Sequence, residues 1–259
     1  LYQPLGMTST SSRFADFMQR GNRASPHVKA DAGYQAQYQR DPDAQSPAGG
    51  VSASANDMAR WMSMVLQNGT YQGRPVVKAE ALLPAISAQV VSSPSRNANE
   101  RAGFYGYGFN VGTSPSGRVK LSHSGAFLLG AGTAFSMIPS AGVGIVTLTN
   151  AAPVGAAEAM NAAFDDLVEF GAVTRDWYEA YAPLMQSLYT PEGTLAGRQP
   201  PAQPVAPLGS NAYTGTYANN YYGNAVVETA GNGLVLKMGP GGGKTFALRH
   251  WSGNTFVID

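Results

Sequence analysis

The run Arg118 to Ser122 has β character and leads into His123-Ser124-Gly125, after which Ala126-Phe127-Leu128-Leu129-Gly130-Ala131-Gly132 follows. A glycine there lets a ligand approach the backbone, and the imidazole and hydroxyl offer hydrogen bonds. The next backbone N–H, that of Ala126, can point at an oxyanion developing on a carbonyl. A wall of this kind stabilises an acyl-transfer intermediate but needs a nucleophile from elsewhere. Taken alone, the tripeptide reads more plainly as a polar turn.

Other chemistry-bearing patterns are weaker. Gly239-Pro240-Gly241-Gly242-Gly243-Lys244-Thr245 looks like a phosphate loop but is one residue short. Met238 stands where the pattern needs glycine, and Phe246 to Trp251 reads as a strand and turn rather than the helix that would face a phosphate. The segment reads as a hairpin tip. His27, His123 and His250 have no partner at metal-ligand spacing, so no metal or other cofactor is expected. Asp165-Asp166 occupy adjacent positions of a helix and point apart, which reads as solvated charge on a helix face. There is no Gly-x-Ser-x-Gly elbow, which argues against an α/β-hydrolase.

The elements that must position these residues change character along the chain. Residues 1–50 are irregular, with a short helix around Arg13 to Gln19. Ser54-Ala55-Asn56-Asp57 resembles a capping box with Asp in the Glu position, and Met58, Trp61, Met62 and Val65 follow at helical spacing, predicting a helix over 55–68. A second helical piece, Lys78 to Ile86, is kinked or ended by Pro84. Tyr105–Val111, Arg118–Ser122, Gly132–Ile138 and Val143–Thr149 read as an antiparallel meander, with a loop over 123–131. Helices follow over about 155–170, through Met160, Phe164, Leu167 and Val168, and over about 175–189. The fold class is α+β: an antiparallel sheet flanked by helices over 1–190, a Pro/Gly-rich linker over 191–210, and a small all-β meander or partial barrel over 211–259 that ends inside a strand pattern.

Composition narrows the function classes. The 259 residues carry a net charge of +1, only 13% of them are charged, and the Lys and Arg are scattered, so nucleic acid is not an expected partner. No cysteine is present, which removes disulfides and thiol nucleophiles. No stretch approaches the roughly 20 apolar residues of a membrane span. The chain starts at Leu1 without an initiator Met or a signal-like segment, which reads as processing or as a fragment.

Several segments, in order, resemble the serine β-lactamase-like and penicillin-binding-protein-like hydrolases, especially relatives of class C β-lactamases. They are Pro4-Leu5-Gly6-Met7 with Thr8 and Thr10, Asn22-Arg23-Ala24 with His27, Pro47-Ala48-Gly49-Gly50-Val51, and Asn56-Asp57-Met58-Ala59-Arg60-Trp61. Tyr105-Gly106-Tyr107-Gly108-Phe109, His123-Ser124-Gly125 and Pro139 through Leu148-Thr149-Asn150 continue the series. The final residues, from Tyr213-Thr214-Gly215-Thr216-Tyr217 to Phe256, are similar to a small β module appended to some of these hydrolases.

The family's chemistry uses a Ser-x-x-K nucleophile, a Tyr-x-Asn loop and a Lys-Thr-Gly or His-Ser-Gly strand. Only the third is present. The residues three before the five lysines are Pro26, Pro75, Gly117, Leu234 and Gly241. Tyr217-Ala218-Asn219 and Tyr222-Gly223-Asn224 follow the strand motif and read as turns. The resemblance implies that His123 and Ser124 act as catalytic, substrate-polarising groups, with Gly125 and the Ala126 N–H as the oxyanion and substrate-binding positions. It also implies an acyl-enzyme mechanism on an ester, amide or peptide-like substrate, a missing N-terminal part of the same protein as partner, and a periplasmic or secreted location. Because neutral His123 replaces a fixed Lys charge, esterase or peptidase-like activity is favoured over β-lactam hydrolysis. The alternative is a binding or scaffold protein that keeps the fold without the catalysis.

Overall fold

Residues 1–54 run mainly as loops, broken by α1 (Phe14–Met18), the hairpin of β1 (Val28–Ala30) with β2 (Gly33–Gln35), and the single turn α2 (Ser46–Gly49). The structure is a computed structural model that describes residues 1–239 and 243–258. It divides into two units, Leu1–Thr190 and Pro191–Asp259.

The helix α3 (Ala55–Leu66) begins at the expected cap, where the Ser54 side chain accepts from the Asp57 N–H at 3.2 Å. It stops two residues early, because Asn68 (φ 51) and Gly69 (φ 92) are left-handed. A Cβ on Gly69 would lie 2.0 Å from the Val77 carbonyl oxygen, so the chain can turn back only through glycine. The small hairpin of β3 (Thr70–Tyr71) with β4 (Arg74–Pro75) follows. The helical piece expected over 78–86 is the single turn α4 (Ala79–Leu82), just ahead of Pro84.

A six-stranded antiparallel sheet carries the first unit. Its strands are β5 (Val90–Ser93), β6 (Gly103–Tyr105), β7 (Asn110–Thr113), β8 (Val119–Phe127), β9 (Ala131–Ile138) and β10 (Val143–Thr149), in simple meander order. Two expectations are corrected here. Tyr105–Val111 is not one strand, because Gly106-Tyr107-Gly108 forms a turn closed by Gly106 N–H to the Phe109 carbonyl at 2.8 Å. The loop expected over 123–131 is strand as far as Phe127, since residues 121–127 all pair with β9; only Leu128 to Gly130 turn.

Strand alternation gives the sheet two unlike faces. On one, Leu121, His123, Phe135, Met137 and Val146 face α3, where Trp61 stacks on Phe109 at 5.6 Å and meets Phe135 edge-on at 5.2 Å. Leu5, Met7, Met62, Met64 and Val65 complete this core, each such burial contributing about 1.5–3 kcal/mol.

On the other face lies α5 (Ala156–Phe170), which packs on β9 and β10. Its sheet-facing stripe is polar, not the apolar one the periodicity suggested. Asn161 accepts from Thr147 at 2.7 Å, Asp165 accepts from Ser136 at 3.0 Å and pairs with Lys120, and Glu158 accepts from Ser124. Small Ala157, Ala159 and Ala162 let the helix come close, while Met160 (58%) and Leu167 (51%) stay exposed.

Asp165 and Asp166 are therefore not solvated, being 7% and 4% exposed. They do point apart. Asp166 accepts from Thr174 N–H at 2.8 Å, Thr174 Oγ1 at 2.6 Å and Trp177 Nε1 at 2.7 Å, and so anchors α6 (Trp177–Gln186) to α5.

The second unit is a five-stranded antiparallel meander of β11 (Gly215–Asn219), β12 (Gly223–Ala230), β13 (Gly233–Met238), β14 (Lys244–Ser252) and β15 (Thr255–Val257). The molecule is thus α+β with a small all-β C-terminal module. Pro240 to Gly242 of the glycine-rich tip and the terminal Asp259 lie outside the described residues. Lys244 and Thr245 lie in β14, which excludes the helix a phosphate loop needs. Tyr217 to Asn219 lie in β11 rather than in the turn expected there; only Asn219, at the strand end, has a turn role, its Oδ1 accepting from the N–H groups of Tyr221 and Tyr222 at 2.8 and 2.9 Å.

Candidate active site

β7 pairs with β8 only over residues 119–122, whereas β9 pairs with it up to Phe127. The stretch His123 to Phe127 therefore has a strand on one side and an open edge on the other. The Gly132 carbonyl accepts from Thr149 Oγ1 at 2.7 Å on the β10 side. Alternation then turns Ala126, the partner of Gly132, so that its N–H faces the open edge.

The four expected site residues are consecutive on this strand, but His123 and Ser124 have side chains on opposite faces. The His123 ring sits on the α3 side, 6.5 Å from Phe135, and its Nε2 hydrogen-bonds the Tyr105 hydroxyl at 3.0 Å. Ser124 Oγ donates to Glu158 Oε1 at the start of α5. A side chain on Gly125 would start 2.9 Å from Thr133 Oγ1. Two participants were missed from the sequence, Tyr105 and Glu158. Tyr105 stood in a noticed motif, but its contact with His123 depends on the turn at 106–108; Glu158 gave no signal, because only tertiary packing brings it to Ser124. His27 and His250 are elsewhere, bonded to Asn150 and to the Gly253 carbonyl.

A cavity of about 680 Å³ lies over the α3-side face of β8, β9 and β10, lined among others by His123, Gly125, Phe127, Phe135, Val146 and Val51. Its opposite wall is the 46–53 segment, held by reciprocal Ser11 and Ser52 backbone bonds at 3.0 and 2.9 Å and by Ser46 Oγ donating to the Ser12 carbonyl at 2.8 Å. Below it, Asp57 (2% exposed) accepts from Ser9 N–H and Thr10 Oγ1, both at 2.8 Å, and pairs with Arg60 at 2.8 Å. Arg60 in turn donates to the Gly6 carbonyl. The Pro-Leu-Gly-Met and Asn-Asp-Met-Ala-Arg-Trp segments are thus the two halves of one latch.

Two carboxylates behind the sheet are held ionised. For Asp166 burial alone would raise the pKa, but the Thr174 and Trp177 bonds and the Lys120 charge outweigh it and hold it below the ordinary Asp value. For Glu169 the hydrogen bonding of Ser116, against burial and together with Ser114 and Arg118, does the same. Both lie on α5, where Glu169 holds the loop after β7 and Asp166 holds α6.

The β-lactamase family model matches residues 1–170, which include the whole six-stranded sheet, α3 and α5. The chain belongs to the β-lactamase family. Residues 199–259 match a domain of unknown function, DUF3471. Among solved structures, the octameric penicillin-binding protein homologue from Pyrococcus abyssi is 18% identical over 96% of this chain and 48% of that one, with a TM-score of 0.51. A class C β-lactamase from Rhodobacter sphaeroides is 16% identical over 73% and 51% of the two chains, with a TM-score of 0.43. The C-terminal domain of a penicillin-binding protein is 41% identical over 26% of this chain and 64% of that one, with a TM-score of 0.23. The chain spans about half the length of the Pyrococcus structure. No curated protein matches.

Proposed function

We propose that this chain is the C-terminal part of a serine hydrolase that acts through an acyl-enzyme on an ester, amide or peptide-like substrate. The observation that carries the reading is the open edge of β8, to which the Ala126 N–H is directed, next to a cavity over the sheet that His123 helps to line. A substrate backbone laid along that edge would receive strand-like hydrogen bonds, and the Ala126 N–H would stabilise the oxyanion of the tetrahedral intermediate. The serine nucleophile and its lysine and tyrosine assistants come from residues upstream of Leu1. His123 supplies a polarising N–H, and Gly125 keeps the strand bare. Ser124, with its hydroxyl directed to Glu158, supports the strand from behind. An extracytoplasmic setting suits this reading.

The test is the intact mass of the parent polypeptide, and of the 259-residue chain, before and after a fluorescent serine-acylating probe. One probe mass on the parent and none on the 259-residue chain is expected. A parent that takes up no probe overturns the hydrolase reading in favour of a binding or scaffold role.

A further inference from the structure

Beside the long cavity, and sharing Phe17, Pro26, Gly49, Val51, Phe127 and Gly130 among others with it, is a smaller chamber of about 180 Å³. Its remaining apolar wall is made by Phe14, Pro42 and Leu129. A cavity of this size accepts one aromatic ring, since an apolar void of about 150 Å³ already holds benzene. Glycine is required at two points of the wall. A Cβ on Gly49 would stand 2.7 Å from the Phe127 ring, and one on Gly130 (φ +123) would stand 2.3 Å from the His27 backbone nitrogen.

The chamber is not neutral. Arg13 and Arg40 both line it and no acid does. Arg40 Cζ lies 4.0 Å from the centre of the Phe127 ring, a cation–π contact. Among the described residues neither Arg13 nor Arg40 has a salt-bridge partner. The neighbouring acids are turned to backbone: Asp43 accepts from Phe14 N–H at 2.7 Å, and Asp41 from Asp43 N–H at 3.0 Å.

We propose that this chamber binds a ring-sized apolar group whose attached carboxylate pairs with Arg13 and Arg40. It thereby selects substrates in which the portion beyond the scissile bond is an aryl or branched alkyl carboxylate. The substrate assignment rests on the hydrolase reading; the binding site itself does not.

The experiment uses the 259-residue chain and two probes, 4-phenylbutyrate and its neutral analogue 4-phenylbutan-1-ol, followed by backbone amide NMR. Phenylbutyrate should shift Phe14, Phe17 and Phe127 and bind about tenfold tighter than the alcohol, and Arg40→Gln should erase that preference. Because Arg40→Gln also removes the stacking on Phe127, the exposed Arg13→Gln serves as the second variant, with an expected loss of about threefold. Equal binding of acid and alcohol overturns the carboxylate class, and absence of shifts at Phe14 and Leu129, which line the chamber and not the long cavity, overturns the site. Phenylbutyrate binding together with a parent that takes up no serine probe would keep the site and discard the hydrolase.

Discussion

At the residue scale, the pairing of Tyr105 with His123 decides what the imidazole offers to the cavity. His123 Nδ1 has no hydrogen-bond partner among the described residues, whereas Nε2 is held by the Tyr105 hydroxyl at 3.0 Å. If the phenol donates, Nε2 is the acceptor and the ring proton sits on Nδ1, so a neutral imidazole presents an N–H rather than a lone pair. Nitrogen chemical shifts of His123 should therefore show the Nδ1–H tautomer, and Tyr105→Phe should move the proton to Nε2. An unchanged tautomer in the variant would remove Tyr105 from this positioning role. The motif that includes Tyr105 was visible in the chain. The turn at Gly106 to Gly108, which returns Tyr105 to the β8 side, was read there as continuous strand, since aromatic and glycine residues alternate through it with a strand-like period.

At the element scale, α5 shows how a helix can carry its polar stripe inward. Glu158, Asn161, Asp165 and Glu169 each find a partner in the sheet or the loop beside it, which offsets their burial except at Asn161 Nδ2 and Glu169 Oε1; these make no hydrogen bond, and Oε1 faces Arg118 at 3.7 Å. Asp166 fixes the next helix, and its folded pKa lies below the ordinary aspartate value. Its contribution is then fully present above the ordinary, unfolded-state value and is lost as pH falls through the folded one. Melting temperature should drop on acidification from pH 5 toward pH 2, and Asp166→Asn should shrink that drop while costing about 1–3 kcal/mol at pH 7. An acid limb of the same size in the variant would contradict the assignment.

At the scale of the whole molecule, the two units are joined through residues 191–204, which hold no helix or strand and only the turn bonds Ala196 N–H to Gly193 and Arg198 N–H to Leu195. From Val205 onward the chain is tied to Ser252 and Gly253 of the second unit, at 3.1 and 2.7 Å. Limited trypsin treatment should cut first after the exposed Arg198 and leave two protected fragments. A first cut inside residues 1–190, read from fragment masses, would show that the loops around the cavity open more readily than the joint.

Local signals in the chain determined the capped start of α3, the strand β10, the helices near 155 and 177, and the meander of the second unit. Each depends on neighbours within a few residues: an Ser54 cap, a Gly142 turn, period-two alternation between glycine turns. The His-Ser-Gly strand and its family were legible for the same reason, as contiguous motifs. Tertiary structure decided the rest. The length of β8 beyond Ser122 depends on β9 for its hydrogen bonds, the open edge exists because β7 is short, and the burial of Asp57 and Asp165 depends on donors from distant segments. A carboxylate's sequence neighbourhood says that it is charged, but only the fold brings the N–H and O–H groups that let it be buried.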